Sequence, residues 1–218
     1  MPNRKPAKLD RKPSKETSIL IRLRNQARNK KLRPRTRDAI DFYVKAVKRL
    51  GKVNTREAFK DRGMLTRQAM VPGRIMLYEY KAITPNLPYF DKWPLILVID
   101  AWTNKGKNYF SGLNFHYLPV EMRYPLLIKL MEYKNNKRYD ETTRLKVTYD
   151  LLKSASNMKE FRPAYKHYRL DAVKSKFRQV EVKYAEIAMA LPLARFQGAS
   201  NKKVWSDSVK QINEALSN

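Results

Sequence analysis

Cysteine is absent from the 218 residues, so neither a disulfide nor a thiolate-bound zinc can brace this fold. That fits an intracellular or virion protein. Glycine is scarce, at six residues, and none stands in a GxGxxG, P-loop or GxSxG pattern. The phosphate-cradling loops of nucleotide enzymes, the Walker motif of packaging or helicase motors and the serine-hydrolase elbow are therefore missing. No apolar run approaches the ~18 residues of a membrane span, so no membrane partner is expected. The first residues are charged with no apolar stretch behind them, which is not the pattern of a secretory signal. There are two histidines, His116 and His167, and neither has a second His or an acid at ligand spacing. Metal sites need several converging ligands, so neither a metal nor a cofactor is expected.

Acidic residues are also in short supply, 20 against 47 Lys and Arg, for a net charge of +27 and a pI near 10.3. Such a charge destabilises a compact state by self-repulsion unless a polyanion is the usual partner, and nucleic acid is the foremost candidate. The charge is uneven. Residues 1–52 hold 18 Lys and Arg against 4 Asp and Glu, whereas residues 73–133 hold 7 against 5. Residues 134–218 return to 18 against 9. A near-neutral centre with basic flanks is a common layout of polyanion binders.

The neutral centre, Gly73–Pro119, carries two of the three Trp and three apolar runs, Ile75–Tyr80, Leu95–Trp102 and Tyr109–Leu118. Turn formers separate them, so they read as strands. The expected class is α+β: a small antiparallel sheet or SH3-like barrel over residues 73–119, flanked by helices. Residues 1–35 read as a basic, partly disordered arm, 36–72 as a helical segment and 120–218 as a mainly helical basic region. Helices are expected over Thr17–Lys31 and, with Thr36 as N-cap, over Thr36–Leu50. Residues 55–70 suggest another, with Ala58, Phe59 and Leu65 inward. Pro125 should kink or delay a helix begun near Val120. Asp140 or Thr142 could cap a helix using Leu145, Tyr149, Leu152 and Ala155. Ala185–Arg195 reads as helical, and Ser206 or Asp207 could cap the last helix.

Two groups of cations are candidates for phosphate contact. The first is Arg4, Lys5, Arg11, Lys12, Arg22, Arg24, Arg28, Lys30, Lys31, Arg33, Arg35 and Arg37. The second is Lys159, Arg162, Lys166, Arg169, Lys174, Lys176 and Arg178, interleaved with Phe161, Tyr165, Tyr168 and Phe177. Cations meet phosphates while rings stack on bases or pack inward. A solubilising tail for the first group, and an amphipathic helix with solvated cations for the second, are the plainer alternatives. No catalytic residue is assigned. A nuclease would need acids converging on a divalent ion, and Asp91, Asp100 and Glu121 are the ones placed for it. His116 reads as a packed or hydrogen-bonded strand histidine.

Several motifs carry a family likeness: PYFDKWPLILVID (Pro88–Asp100), GLNFHYLP (Gly112–Pro119) followed by Arg123 and Leu126-Leu127, TRLKVTYDLL (Thr143–Leu152), VKSKF (Val173–Phe177), ALPLARF (Ala190–Phe196) and VWSDS (Val204–Ser208). Together, over residues 70–210, they resemble the DNA end protector family of T-even-like tailed phages, head-completion components of the virion. Residues 1–52 take no part in the resemblance, and VKSKF has Lys where Arg is expected. The resemblance implies a protein made in the host bacterial cytoplasm and carried in the virion. It would bind duplex DNA ends without sequence specificity, shield them from host exonuclease and contact portal, neck or tail proteins. The rival readings are a structural tail, neck or baseplate part with acidic partners, a ribosome-associated protein and a nuclease.

Overall fold

The computed structural model describes residues 18–51, 53–84, 86–134 and 159–217. The arm cations Arg4, Lys5, Arg11 and Lys12 lie outside the described residues, as does the helix expected after Asp140 or Thr142. Helix α1 spans Ile19–Asn29 and α2 spans Arg37–Arg49. Ser18 caps α1 by accepting from the Ile21 N–H, and Thr36 caps α2 by accepting from that of Ala39, as its position in the sequence suggested. The helix expected over 55–70 is only the short α3, Thr55–Phe59; strand β1, Met64–Arg67, follows, and Leu65 is exposed.

Strands β2 (Ile75–Leu77), β3 (Phe90–Asp91), β4 (Leu95–Asn104) and β5 (Lys107–Asn114) come from the neutral centre. The β4–β5 hairpin turns on Lys105 and Gly106, with φ of +46° and +71°, the left-handed pair a two-residue type I′ turn requires. After a 3-10 turn at Phe115–Tyr117, helix α4 runs from Val120 to Lys134 with Pro125 inside it. The region expected to be mainly helical supplies three strands: β6 (Tyr165–Arg169), β7 (Phe177–Val180) and β8 (Phe196–Gln197). Helix α5 is Ala185–Ala190, and α6 is Asn201–Ser217. Ser200 accepts from the Lys203 N–H at the start of α6, so Ser206 and Asp207 lie inside that helix rather than at its cap.

The main sheet is antiparallel throughout, in the order β1-β7-β2-β4-β5-β6, and β3 pairs with β8 in a separate ribbon. It is open, with β1 and β6 at its edges, so the sheet half of the expectation holds and the SH3-like barrel does not. Side chains alternate across it. Ile75, Leu77, Leu95, Leu97, Leu113 and Val180 point to one face and pack with α1, α2, α4 and α5. Met76, Ile96, Val98, Phe110, Tyr168 and Phe177 point to the other and join Tyr78 and Tyr80 in an aromatic cluster. Gly112 lets β5 approach β4: a Cβ there would lie 2.5 Å from the Leu97 carbonyl oxygen.

Candidate nucleic-acid interface

Between Ile19 and Arg37 the chain carries eight Lys and Arg and no acid. Leu20, Leu23 and Ala27 fix the buried side of α1, and Ala39, Tyr43 and Val47 that of α2. Arg22, Arg28, Lys30, Lys31, Arg33, Arg35 and Arg37 are consequently exposed. Arg24 is half-buried, with its guanidinium 5.6 Å from the centre of the Tyr184 ring. The junction between the helices is built in an unusual way. Lys31 N–H donates to the Arg28 carbonyl and Leu32 N–H to that of Ala27, at 2.8 and 3.0 Å. That is the Schellman closure of a helix, whose left-handed position is usually glycine; here it is Lys31, at φ +54°. Four residues on, Arg33-Pro34-Arg35-Thr36 makes a turn in which Thr36 N–H and Oγ1 both donate to the Arg33 carbonyl. With proline second and a positive φ third, the pattern is that of a type II turn, and again a cation, Arg35 at φ +66°, stands where glycine is favoured. Each costs about 1–2 kcal/mol relative to a right-handed residue. Arg35 N–H donates to the half-buried side of the helix pack, 2.6 Å from Glu186 Oε1, and burial raises the Glu186 pKa against that bond.

The second group divides. Lys159 opens a 3-10 turn in which Arg162 is exposed, and Lys174 and Lys176 are exposed beyond β6. Arg169 is paired with Asp171 through two of its three guanidinium nitrogens, Nε and Nη2. Arg178 is turned inward: it donates to the carbonyls of Asp61 and Met64, at 2.7 and 2.9 Å, and to Thr66 Oγ1. It therefore ties β7 to the turn before β1. Lys166 is half-buried, with Nζ 4.3 Å from the centre of the Tyr117 ring. The segment over 165–178 contributes Tyr168, Ala172 and Phe177 to the aromatic face of the sheet, while α1 and α2 pack on the opposite face. The first group thus sits on helices, and their junction, packed on one face of the sheet, whereas Lys166, Arg169 and Arg178 of the second lie on strands of the sheet itself.

A family model described as the phage T4 terminal DNA protecting protein matches residues 4–210. The chain belongs to that family. The match begins at Arg4 and so spans Arg4, Lys5, Arg11 and Lys12, which lay outside the stretch that carried the resemblance. No curated protein and no solved structure matches the chain. The family's name gives its role as protection of DNA termini.

The acids that a nuclease would use do not converge in this terminal DNA protecting protein. Among the described residues no three His, Asp or Glu lie where they could share a metal ion. Asp91 is buried with His116, Oδ2 to Nδ1 at 2.7 Å, and also accepts from the Asn114 side chain and from the backbone N–H groups of Trp93 and Arg195. His116 follows β5 in a 3-10 turn rather than lying in the strand, but it is hydrogen-bonded as expected. Burial lowers its pKa, against the pull of Asp91. Asp100 accepts from its neighbour Ala101, and Glu121 is exposed. Arg123, named in the sequence only as part of a motif and given no role, is fully buried. It donates to the carbonyls of Leu118 and Met189, and desolvation pushes its pKa down to about 10.

Proposed function

We propose that the protein grips the backbone of duplex DNA, without reading sequence, through the α1–α2 junction and the basic residues that precede it. Bound at the end of the packaged genome in the virion, it shields that end sterically, because an exonuclease cannot load on an occupied terminus. The chain is made in the host bacterial cytoplasm before assembly. The observation that carries the reading is the placement of Lys31 and Arg35 in left-handed backbone that favours glycine. Strain of this kind survives where function uses it, and here it points two cations outward in a segment without a single acid. Phosphate contacts by Lys and Arg position a protein on DNA without specifying sequence.

The test is digestion of linear duplex DNA by a processive exonuclease in the presence of the protein. Saturating protein should preserve full-length DNA, and complete degradation would reject the reading. If about six to ten phosphates are engaged, affinity should also fall by ~10³–10⁵ between 50 and 200 mM salt.

A further inference from the structure

On the side of the sheet away from α1 and α2, a cleft of about 480 Å³ is bounded by strand β3 and the chain just before it, strand β6 and helix α6. That volume is in the range of small-molecule sites. Its polar and aromatic parts are arranged together. The rings of Tyr89 and Tyr117 lie 6.1 Å apart at a tilt of 36°. Lys166 Nζ sits 4.3 Å from the centre of the Tyr117 ring, and Tyr168 lines the cleft beside them. Lys166 has neither a carboxylate nor a hydrogen-bond acceptor among the described residues, and its desolvation holds the ammonium pKa down at about 8. Asp91 also lines the cleft, but its carboxylate is already occupied by four donors from Trp93, Asn114, His116 and Arg195. Arg169, likewise in the lining, is held by Asp171.

A desolvated cation without a counterion, in a cleft walled by tyrosines, lacks one thing: an anion joined to a flat ring. A nucleotide has both, and base–aromatic stacking is tolerant of sequence because every base has a π-face. The cleft has room for one nucleotide and not for a duplex. In a linear duplex the nucleotide that leaves its stack most readily is the last, since it has a neighbour on one side only. We propose that this cleft receives the terminal nucleotide of the DNA, with its base against the half-buried Tyr89 and its phosphate at Lys166, which covers the face of the buried Tyr117 ring. The inference rests on the DNA-binding reading above and adds to it a physical basis for choosing ends.

The experiment compares binding of two duplexes of equal length and sequence, one with blunt open ends and one closed at both ends by hairpin loops. Wild type, Lys166→Gln and Tyr89→Ala are measured by fluorescence anisotropy at one salt concentration, with thermal melts confirming that each variant is folded. Wild type should bind the open duplex more tightly than the closed one. Each variant should lose about tenfold on the open duplex, the size of one stacked base or one charged contact, with no change on the closed one. Equal binding of the two duplexes by wild type overturns the proposal, and so does an undiminished preference for open ends in both folded variants. A wild type that binds neither DNA overturns the DNA-binding reading as well, so the two failures are told apart.

Discussion

Replacing Lys31 by glycine should make the protein more stable and a weaker DNA binder. At φ +54° the lysine sits in backbone that costs an L-residue about 1–2 kcal/mol and glycine almost nothing. Glycine also loosens the unfolded chain, which returns about 0.4–1 kcal/mol of that gain. The expected net is a stabilisation of roughly 0.5–1 kcal/mol, or about 1–4 °C in Tm for a chain of this size. The Schellman bonds from Lys31 and Leu32 use backbone N–H groups and survive the change. The lost cation should lower the slope of log K against log salt by about 0.9 if it meets one phosphate. Arg22→Gly is the control: Arg22 lies inside α1, where glycine costs about 1 kcal/mol, so it should lose both stability and slope. Urea titrations and binding at four or five salt concentrations read both quantities. A destabilised Lys31→Gly would refute the strain argument, and an unchanged salt slope would refute the placement of the junction on phosphate.

Arg178→Ala should cost about 1–3 kcal/mol, since it strips donors from the Asp61 and Met64 carbonyls, and should leave DNA affinity at fixed salt unaltered; a lost phosphate contact would instead appear in the salt slope. Gly112→Ala forces a Cβ to within 2.5 Å of a backbone oxygen in the central strand pair and should destabilise by about 1–3 kcal/mol or more, read from the urea midpoint. His116, buried with a pKa below its ordinary value, binds its proton later in the folded state than in the unfolded one. Stability should therefore fall as pH drops below about 6.5, where the unfolded chain protonates first. Glu186, whose pKa burial raises, acts in the opposite sense above pH 4.5, so the test is the difference in urea midpoint between pH 7.5 and 5.5 for wild type and His116→Gln. An equal drop in both would show that His116 is not responsible.

The strands of the neutral centre were legible because β-branched and aromatic runs cut by Asn and Gly have few other uses, and the N-cap Thr36 behaves as its chemistry demands. The strands outside it were not. β6 and β7 carry Lys166, Arg169 and Arg178 among their rings, and cations three residues apart, as at Lys166 and Arg169, read equally well as the wet side of a helix. Only pairing with β5 and with β1 and β2 decides the matter, and pairing is non-local. The same limit explains Arg178, whose partners lie more than a hundred residues away. It also explains the cleft, whose Tyr89, Tyr117 and Lys166 belong to three separate stretches. Pro34 and the run of cations at the end of α1 were plain in sequence, but nothing local says that Lys31 and Arg35 adopt positive φ, because that conformation is imposed by how α1 and α2 dock on the core.

The cleft and the junction need each other energetically. Drawing a nucleotide out of a duplex costs a few kcal/mol, least where the base is already loosely held, and stacking on an aromatic returns about 1–3 kcal/mol per base. Adding one contact between Lys166 and a phosphate brings the sum near zero, so the cleft alone would hold a DNA end weakly. In the proposed binding mode the exposed cations of α1 and the junction take duplex at any position, because every position presents phosphate. Once they hold the chain, filling the cleft becomes an intramolecular step at high effective concentration, where even a weak site is occupied if the geometry lets both engage. An internal nucleotide would have to break two stacks and its pairing to enter the same cleft, so in the proposed mode the preference for termini comes from that difference in cost, and the overall grip from charge.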